Sequence, residues 1–236
     1  MSEVIGILGG MGPLATIDFI QKIIDQTPAT CDQEHLPLLV HSVPQIPDRT
    51  ASLMKNMESP LPALIEGLRT LVNAGVGCIV IPCNTAHHWY EDLAKISSVP
   101  ILHIANACSE FLVQQGISSV GLLATDGTLK AGFYPKVLGA RGIDLKIPAP
   151  SLQRQVMEGI YLVKSGAVKK GGRILEHCMD EMLKSGIEKV IMGCTEIPLA
   201  MDKINSSLVP FGVDATKELA NSCVQWHLAD NYRNAA

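Results

Sequence analysis

Aromatic side chains are scarce in this chain, at 4% of 236 residues, and its formal net charge of −4 leaves no basic surplus. Both facts argue against a nucleic-acid partner. Such a partner needs a cationic face against its phosphates and, for single strands, aromatic platforms for base stacking. No apolar run approaches the ~20 residues that cross a bilayer, so no membrane partner is expected. Met1-Ser2-Glu3-Val4-Ile5 passes directly into a strand-like run. With no basic stretch leading into an apolar one, it does not read as a signal peptide. No C-x-x-C pair is present. The seven cysteines, at positions 31, 78, 83, 108, 178, 194 and 223, are odd in number and irregularly spaced. That pattern opposes a disulfide framework and points to a reducing cytoplasm.

What the chain does have is apolar residues, 47% of the total, arranged as short runs that alternate with helical periodicity. Val4–Leu8, Leu36–His41, Cys78–Cys83, Ile101–Ile104, Val120–Ala124, Leu145–Ile147, Lys189–Cys194 and Leu208–Pro210 read as strands. Helical segments are predicted after Pro13, where Ile17, Ile20 and Ile24 recur at helical spacing, and over Leu61–Asn73, Ala86–Lys95, Leu152–Lys164, Arg173–Lys184 and Asp214–Leu228. Strands alternating with helices predict an α/β fold with parallel sheets.

Two parts of the first half return in the second. Ile5-Gly6-Ile7-Leu8 aligns with Val120-Gly121-Leu122-Leu123, and Asn73-Ala74-Gly75 ahead of Cys83 aligns with Lys184-Ser185-Gly186 ahead of Cys194. Between them, Phe19-Ile20-Gln21-Lys22 resembles Phe133-Tyr134-Pro135-Lys136. Ordered matches of strand, turn and cysteine predict two similar domains facing each other across a pseudo-twofold axis. A cleft between them would put equivalent residues on opposite sides of a ligand.

Five of the cysteines, Cys31, Cys78, Cys108, Cys178 and Cys223, read as small buried hydrophobes. Cys83 and Cys194 differ. Each ends an apolar run, and Asn84-Thr85 or Thr195-Glu196 follows it. A thiol near a helix N-terminus is expected to have a lowered pKa, which suits a base near neutral pH. Two such groups facing each other can invert a stereogenic carbon. One removes its proton, and the other returns a proton to the opposite face. The carbanion-like transition state then needs donors or cations nearby. Asn84, Thr85, Thr125, Thr128 and Thr195 are small polar residues at strand ends that could supply them, or could act as turn and cap residues.

Two other readings compete. Gly10-Met11-Gly12-x-x-Ala15 fits a dinucleotide fingerprint, but the next strand ends at Val40-His41 without the acidic residue that would bind ribose. Cys83, His87 and His88 have spacing compatible with a zinc site, without a C-x-x-C pair to support it. His87 and His103 also read as packed core histidines.

Gly9-Gly10-Met11-Gly12-Pro13, Pro47-Asp48-Arg49-Thr50, Pro82-Cys83-Asn84-Thr85-Ala86-His87 and Gly193-Cys194-Thr195-Glu196-Ile197-Pro198 together resemble the cofactor-independent aspartate/glutamate racemase family, and within it the aspartate racemase branch. The resemblance runs over essentially the whole chain. It implies two Rossmann-like α/β domains, residues 1–100 plus 208–236 and residues 101–207, with the active site between them, and a homodimeric assembly. It implies Cys83 and Cys194 as the acid/base pair acting on aspartate, with glutamate as a further substrate, and no cofactor, pyridoxal phosphate included. It assigns Arg49 to a substrate carboxylate and sets Lys164 facing the same site; Met11, Asn84, Thr85, Thr125, Thr128, Thr195 and Glu196 complete the expected substrate contacts. The glycine turn lacks the Asp-Ser pair of the glutamate racemase branch, which favours aspartate. The presence of both cysteines argues against a related single-cysteine decarboxylase. A relative acting on a hydantoin, or a dicarboxylate-binding or redox-sensing module that keeps the fold, are the alternatives.

Overall fold

The computed structural model describes residues 4–234. The first half runs β1 (Ile5–Gly9), α1 (Pro13–Gln26), β2 (Leu38–Ser42), α2 (Arg49–Lys55), α3 (Leu61–Asn73), β3 (Cys78–Val80), α4 (Tyr90–Ile96) and β4 (Ile101–Leu102). The second runs α5 (Ile104–Gln114), β5 (Ser119–Ala124), α6 (Asp126–Ala131), α7 (Phe133–Gly139), β6 (Asp144–Lys146), α8 (Pro150–Lys164), α9 (Val168–Lys184), β7 (Val190–Gly193), α10 (Glu196–Lys203), β8 (Gly212–Asp214) and α11 (Ala215–Asn234).

The strands form two four-stranded parallel sheets of the same order, β2-β1-β3-β4 and β6-β5-β7-β8. The segments matched in sequence occupy matched places. β1 and β5 are the second strands of their sheets, and Cys83 and Cys194 follow the third strands, β3 and β7. Both third strands are fully buried. Buried parallel strands need no alternation, and for that reason they appear in the sequence as continuous apolar runs.

The two halves share a core. Ile5, Ile7 and Val80 of the first sheet and Val120, Leu122 and Ile191 of the second belong to one apolar cluster with Ile104 and Leu112 of α5 and Leu219 and Cys223 of α11. Each such side chain contributes about 1.5–3 kcal/mol on burial. The C-terminal helix α11 packs on α1 of the first half and on α5 of the second. Lys22 of α1 pairs with Asp214 at 2.7 Å and donates to Thr216 at 2.9 Å.

Several expectations need correction. Sheet membership does not follow the boundaries at 101 and 208: β4 lies in the first sheet and β8 in the second. The strand expected at 208–210 is a single 3₁₀ turn, Val209–Phe211, and the strand begins at Gly212. The segment after Cys83 is a 3₁₀ turn over Thr85–Trp89 before α4, not one continuous helix. Of the isoleucines that predicted α1, only Ile20 packs against the core. Ile17 and Ile24 are exposed, and Ala15, Thr16, Phe19 and Ile23 are buried instead. Cys31 is exposed rather than buried.

Helix α9 begins at Val168, five residues before the predicted start, and carries Gly171 and Gly172 in its interior. Interior glycines disfavour a helix by roughly 1 kcal/mol each, and here close packing outweighs that. A Cβ on Gly171 would lie 2.5 Å from the Gly159 carbonyl of α8, and one on Gly172 would lie 2.9 Å from the Ala200 carbonyl of α10. The glycine pair therefore lets α9 press on two helices at once, and those two helices carry residues of the site.

Candidate active site

Each cysteine is delivered by the end of a buried strand. Past β3, the Cys83 amide donates to the Ile81 carbonyl at 2.7 Å, which turns the chain sharply. His87 braces that turn. Its Nδ1 donates to the Cys83 carbonyl at 3.0 Å, and its Nε2 accepts from the Ile104 amide at 3.2 Å. Burial lowers the His87 pKa to about 4 against the opposing hydrogen bond to Cys83. The ring is therefore neutral, with its proton on Nδ1. With both nitrogens engaged and His88 exposed on the surface, the Cys83–His87–His88 trio does not converge as a ligand set. His103 caps α5, accepting from the Ala105 amide at 3.1 Å.

Past β7, Cys194 leads directly into α10. Cys83 and Cys194 are each 7% exposed, and both line one pocket with about 410 Å³ of empty space. Met11, Arg49, Asn84, Thr85, Thr125, Lys164, Thr195 and Glu196 line it too. Thr128 does not reach the wall but stands behind it. The glycine turn shapes this wall indirectly. Gly10 has φ +90°, and a Cβ there would meet the Val43 amide nitrogen at 2.4 Å. Its close approach is thus to the chain beyond β2 rather than to a ligand.

The charges centre on Glu196. Its Oε1 pairs with Lys164 at 3.1 Å, and its Oε2 accepts from the Cys194 thiol and the Thr195 hydroxyl, both at 2.9 Å. Burial pushes the Glu196 carboxyl up, but the Lys164 ammonium and these hydrogen bonds hold it below its ordinary value. Burial also works against the Lys164 charge, yet Cys194, Glu196 and Cys83 beside it raise its pKa, and of these the Glu196 carboxylate is its ion-pair partner. For Cys194 the expected lowering is reversed. Burial, then the Glu196 carboxylate, raise the thiol well above its ordinary value, with Lys164 only partly compensating. Cys194 is a protonated thiol in this arrangement, because burial and the carboxylate it donates to outweigh the Lys164 ammonium and the Glu196 amide at the start of α10, which pull the other way. Neither Asn84 nor Thr195 caps the turn that follows it.

Where the two halves meet, three hydroxyls form a ring: Thr85 to Thr125 at 3.0 Å, Thr85 to Thr128 at 2.9 Å, and Thr125 to Thr128 at 3.0 Å. Thr125 also caps α6 through the Thr128 amide at 3.1 Å. Arg49, the first residue of α2, donates through Nη1 to the Ile46 and Pro47 carbonyls at 3.1 Å, and through Nη2 to the Met11 carbonyl at 3.4 Å. Its buried Nε has no hydrogen-bond partner among the described residues, and the same holds for Asn84 Nδ2. Two unpaired buried donors on residues of one wall favour an acceptor-rich ligand such as a carboxylate.

Sequence reading missed Asp48, Thr50, Ile160 and Tyr161 on the pocket wall. Asp48 caps α2 by accepting from the Ala51 amide at 2.6 Å, a role that an Asp immediately ahead of a helical run signals. Tyr161 lies one turn before Lys164, so i,i+3 spacing on α8 would have found it. Nothing local signals Tyr134, which reaches Asn84 from the other half of the chain.

A family model described as Asp/Glu/Hydantoin racemase matches residues 8–223. A broad specificity amino-acid racemase of Bacillus subtilis is 31% identical over 231 residues, covering 95% of this chain and 98% of that protein. The solved structure of Picrophilus torridus aspartate racemase superposes with a TM-score of 0.85 at 30% identity, covering 96% of this chain and 94% of the other. The glutamate racemase of Francisella tularensis, solved with D-glutamate, shares the fold with a TM-score of 0.71 at 16% identity, over 98% of this chain and 82% of that one.

Proposed function

Because this chain belongs to the Asp/Glu/Hydantoin racemase family and is an amino-acid racemase, we propose that it interconverts L- and D-aspartate, and glutamate with it, by proton transfer between Cys83 and Cys194. The observation that carries the reading is the pairing itself. Two cysteines follow equivalent strands of two like sheets and line one pocket, with a guanidinium and an ammonium beside them.

One cysteine, as thiolate, takes the α-proton. The other, as thiol, delivers a proton to the opposite face, and the two protonation states are exchanged after turnover. Cys194, protonated against Glu196, is the proton donor in the site as it stands. Arg49 and Lys164 supply positive charge for the two carboxylates, which also stabilises the electron-rich carbanion. Lys164 remains available because an ammonium has three donors. The residues need no cofactor in this scheme. The homodimer belongs to the same reading, supported by the exposed apolar face of Leu14, Ile17 and Ile24 on α1.

A second reading, racemisation of larger amino acids, is favoured by an adjoining cavity with about 780 Å³ of empty space. It shares Met11, Arg49, Lys164, Thr195 and Glu196 with the site and adds Leu14, Val163 and Leu199. Proton NMR in D2O with each enantiomer of a panel of amino acids separates the two readings. Exchange of the α-proton with inversion is expected for aspartate, and Cys83→Ala and Cys194→Ala should each lower it by roughly a thousandfold while the fold persists. Full activity in either variant would refute the two-base scheme.

A further inference from the structure

The Asn84 side chain is held from one end only. Its Oδ1 accepts from the Tyr134 hydroxyl at 2.7 Å, and its Nδ2 is buried with no hydrogen-bond partner among the described residues. Tyr134 is fully buried on α7, fifty residues away in sequence, and its hydroxyl also lies 3.8 Å from the Cys108 sulfur. Asn84 belongs to the pocket wall, and Tyr134 does not.

A carboxamide has two ends of nearly equal shape and opposite hydrogen-bonding character. Which end faces a ligand is settled by what grips the other. A phenol buried this deeply stays protonated, since burial raises its pKa well above the ordinary value. Burial likewise raises the Cys108 thiol. The thiol can then donate to the phenol oxygen, and the phenol to Asn84 Oδ1. Hydrogen bonds chained in this way polarise one another, which strengthens the last of them in a low-dielectric interior.

We infer that Tyr134 is a positioning residue that fixes the Asn84 carboxamide with Nδ2–H toward the substrate, so that this wall accepts a carboxylate oxygen and rejects an ammonium. The inference rests on the racemase reading and deepens it by assigning the orientation of the substrate's anionic group to a residue outside the pocket. Without the phenol, the amide is free to turn and present its oxygen. A bound carboxylate then meets repulsion in a fraction of the molecules. Binding suffers, and the proton transfers at the cysteines are affected much less.

The test is a double-mutant cycle of Tyr134→Phe and Asn84→Ala, read by KM and kcat from each enantiomer of the best substrate. Tyr134→Phe is expected to raise KM about tenfold while changing kcat less than threefold. In the Asn84→Ala background it should add nothing to KM. Equal increments of KM in both backgrounds would show that Tyr134 does not act through Asn84, and an unchanged KM in Tyr134→Phe would sink the idea directly. Should Tyr134→Phe fail to fold, Asn84→Asp asks the same question with the phenol in place. It sets an anionic oxygen where Nδ2 stood, and KM should rise at least a hundredfold; an unchanged KM overturns the assignment. A further readout needs no turnover. The Asn84 side-chain amide signals in a ¹⁵N–¹H spectrum of the substrate-free protein should shift in Tyr134→Phe, and constant signals count against the hydrogen bond. A chain that racemises none of the amino acids tested would overturn the proposed function, while this spectrum still decides whether Tyr134 holds the carboxamide.

Discussion

His87 shows how a single side chain can hold a pocket cysteine in place without itself lining the pocket. It spans from the Cys83 carbonyl to the Ile104 amide, tying the cysteine turn to the start of α5. Removing it would leave two buried backbone groups unpaired, each worth about 1–3 kcal/mol. His87→Ala should therefore lose about 2–6 kcal/mol of stability in urea titration and lose racemisation with it. A histidine serving only as a surface proton donor would cost little stability. Glu196 acts at the same scale in another way. It accepts from Cys194 and pairs with Lys164, so the charge of each member depends on the other two.

At the scale of elements, the placement of α8 and α10 decides where Lys164 and Glu196 meet. Both helices lean on α9 at its glycine pair. Gly171→Ala would gain roughly 1 kcal/mol of helix propensity. It would also drive a methyl to 2.5 Å from the Gly159 carbonyl and 2.7 Å from Val163 Cγ2. The nearest atom is backbone, which yields poorly, so overpacking at about 1–3 kcal/mol wins. Calorimetry should find Gly171→Ala less stable, and KM should rise because Val163 adjoins Lys164. Gly139→Ala, at the end of α7, meets nothing within 4 Å. It should be neutral or stabilising by up to ~1 kcal/mol. Equal behaviour of the two variants would remove the packing argument.

Across the whole molecule, α11 closes the shared core, and one of its carboxyls makes stability depend on pH. Burial pushes Glu218 up to about 7, against the nearby Lys217 ammonium, from an ordinary value of 4.5. Between those values the unfolded chain has released the proton and the folded chain has kept it. Its contribution therefore lowers stability as pH rises from 4.5 to about 7 and is constant above that. Glu218→Gln removes this term. The stability difference between variant and wild type should be unchanged below pH 4.5 and grow in the variant's favour by roughly 1–3 kcal/mol by pH 8. Urea titrations across that range would show it, and a difference independent of pH would place the carboxyl in solvent.

The alternation of strands and helices, the duplicated order of strand, turn and cysteine, and the two cysteines themselves were legible in the sequence. Each rests on local periodicity or on spacing along the chain. Arg49 was legible through its motif, and Lys164 through the same family resemblance. Local pattern fell short where helices press closely together: the helix predicted from Arg173 begins at Val168, and the carbonyls that Gly171 and Gly172 accommodate, at Gly159 and Ala200, lie on other helices. The isoleucines of α1 marked the helix correctly, but periodicity identifies a face without saying which way it turns, and Ile17 and Ile24 face solvent. What the tertiary structure alone decided is the chemistry of contact between distant residues. It set the protonated state of Cys194 through Glu196, the threonine ring across the two halves, and the grip of Tyr134 on Asn84. Those depend on which groups share a small volume of low dielectric, and spacing along a single chain does not encode that.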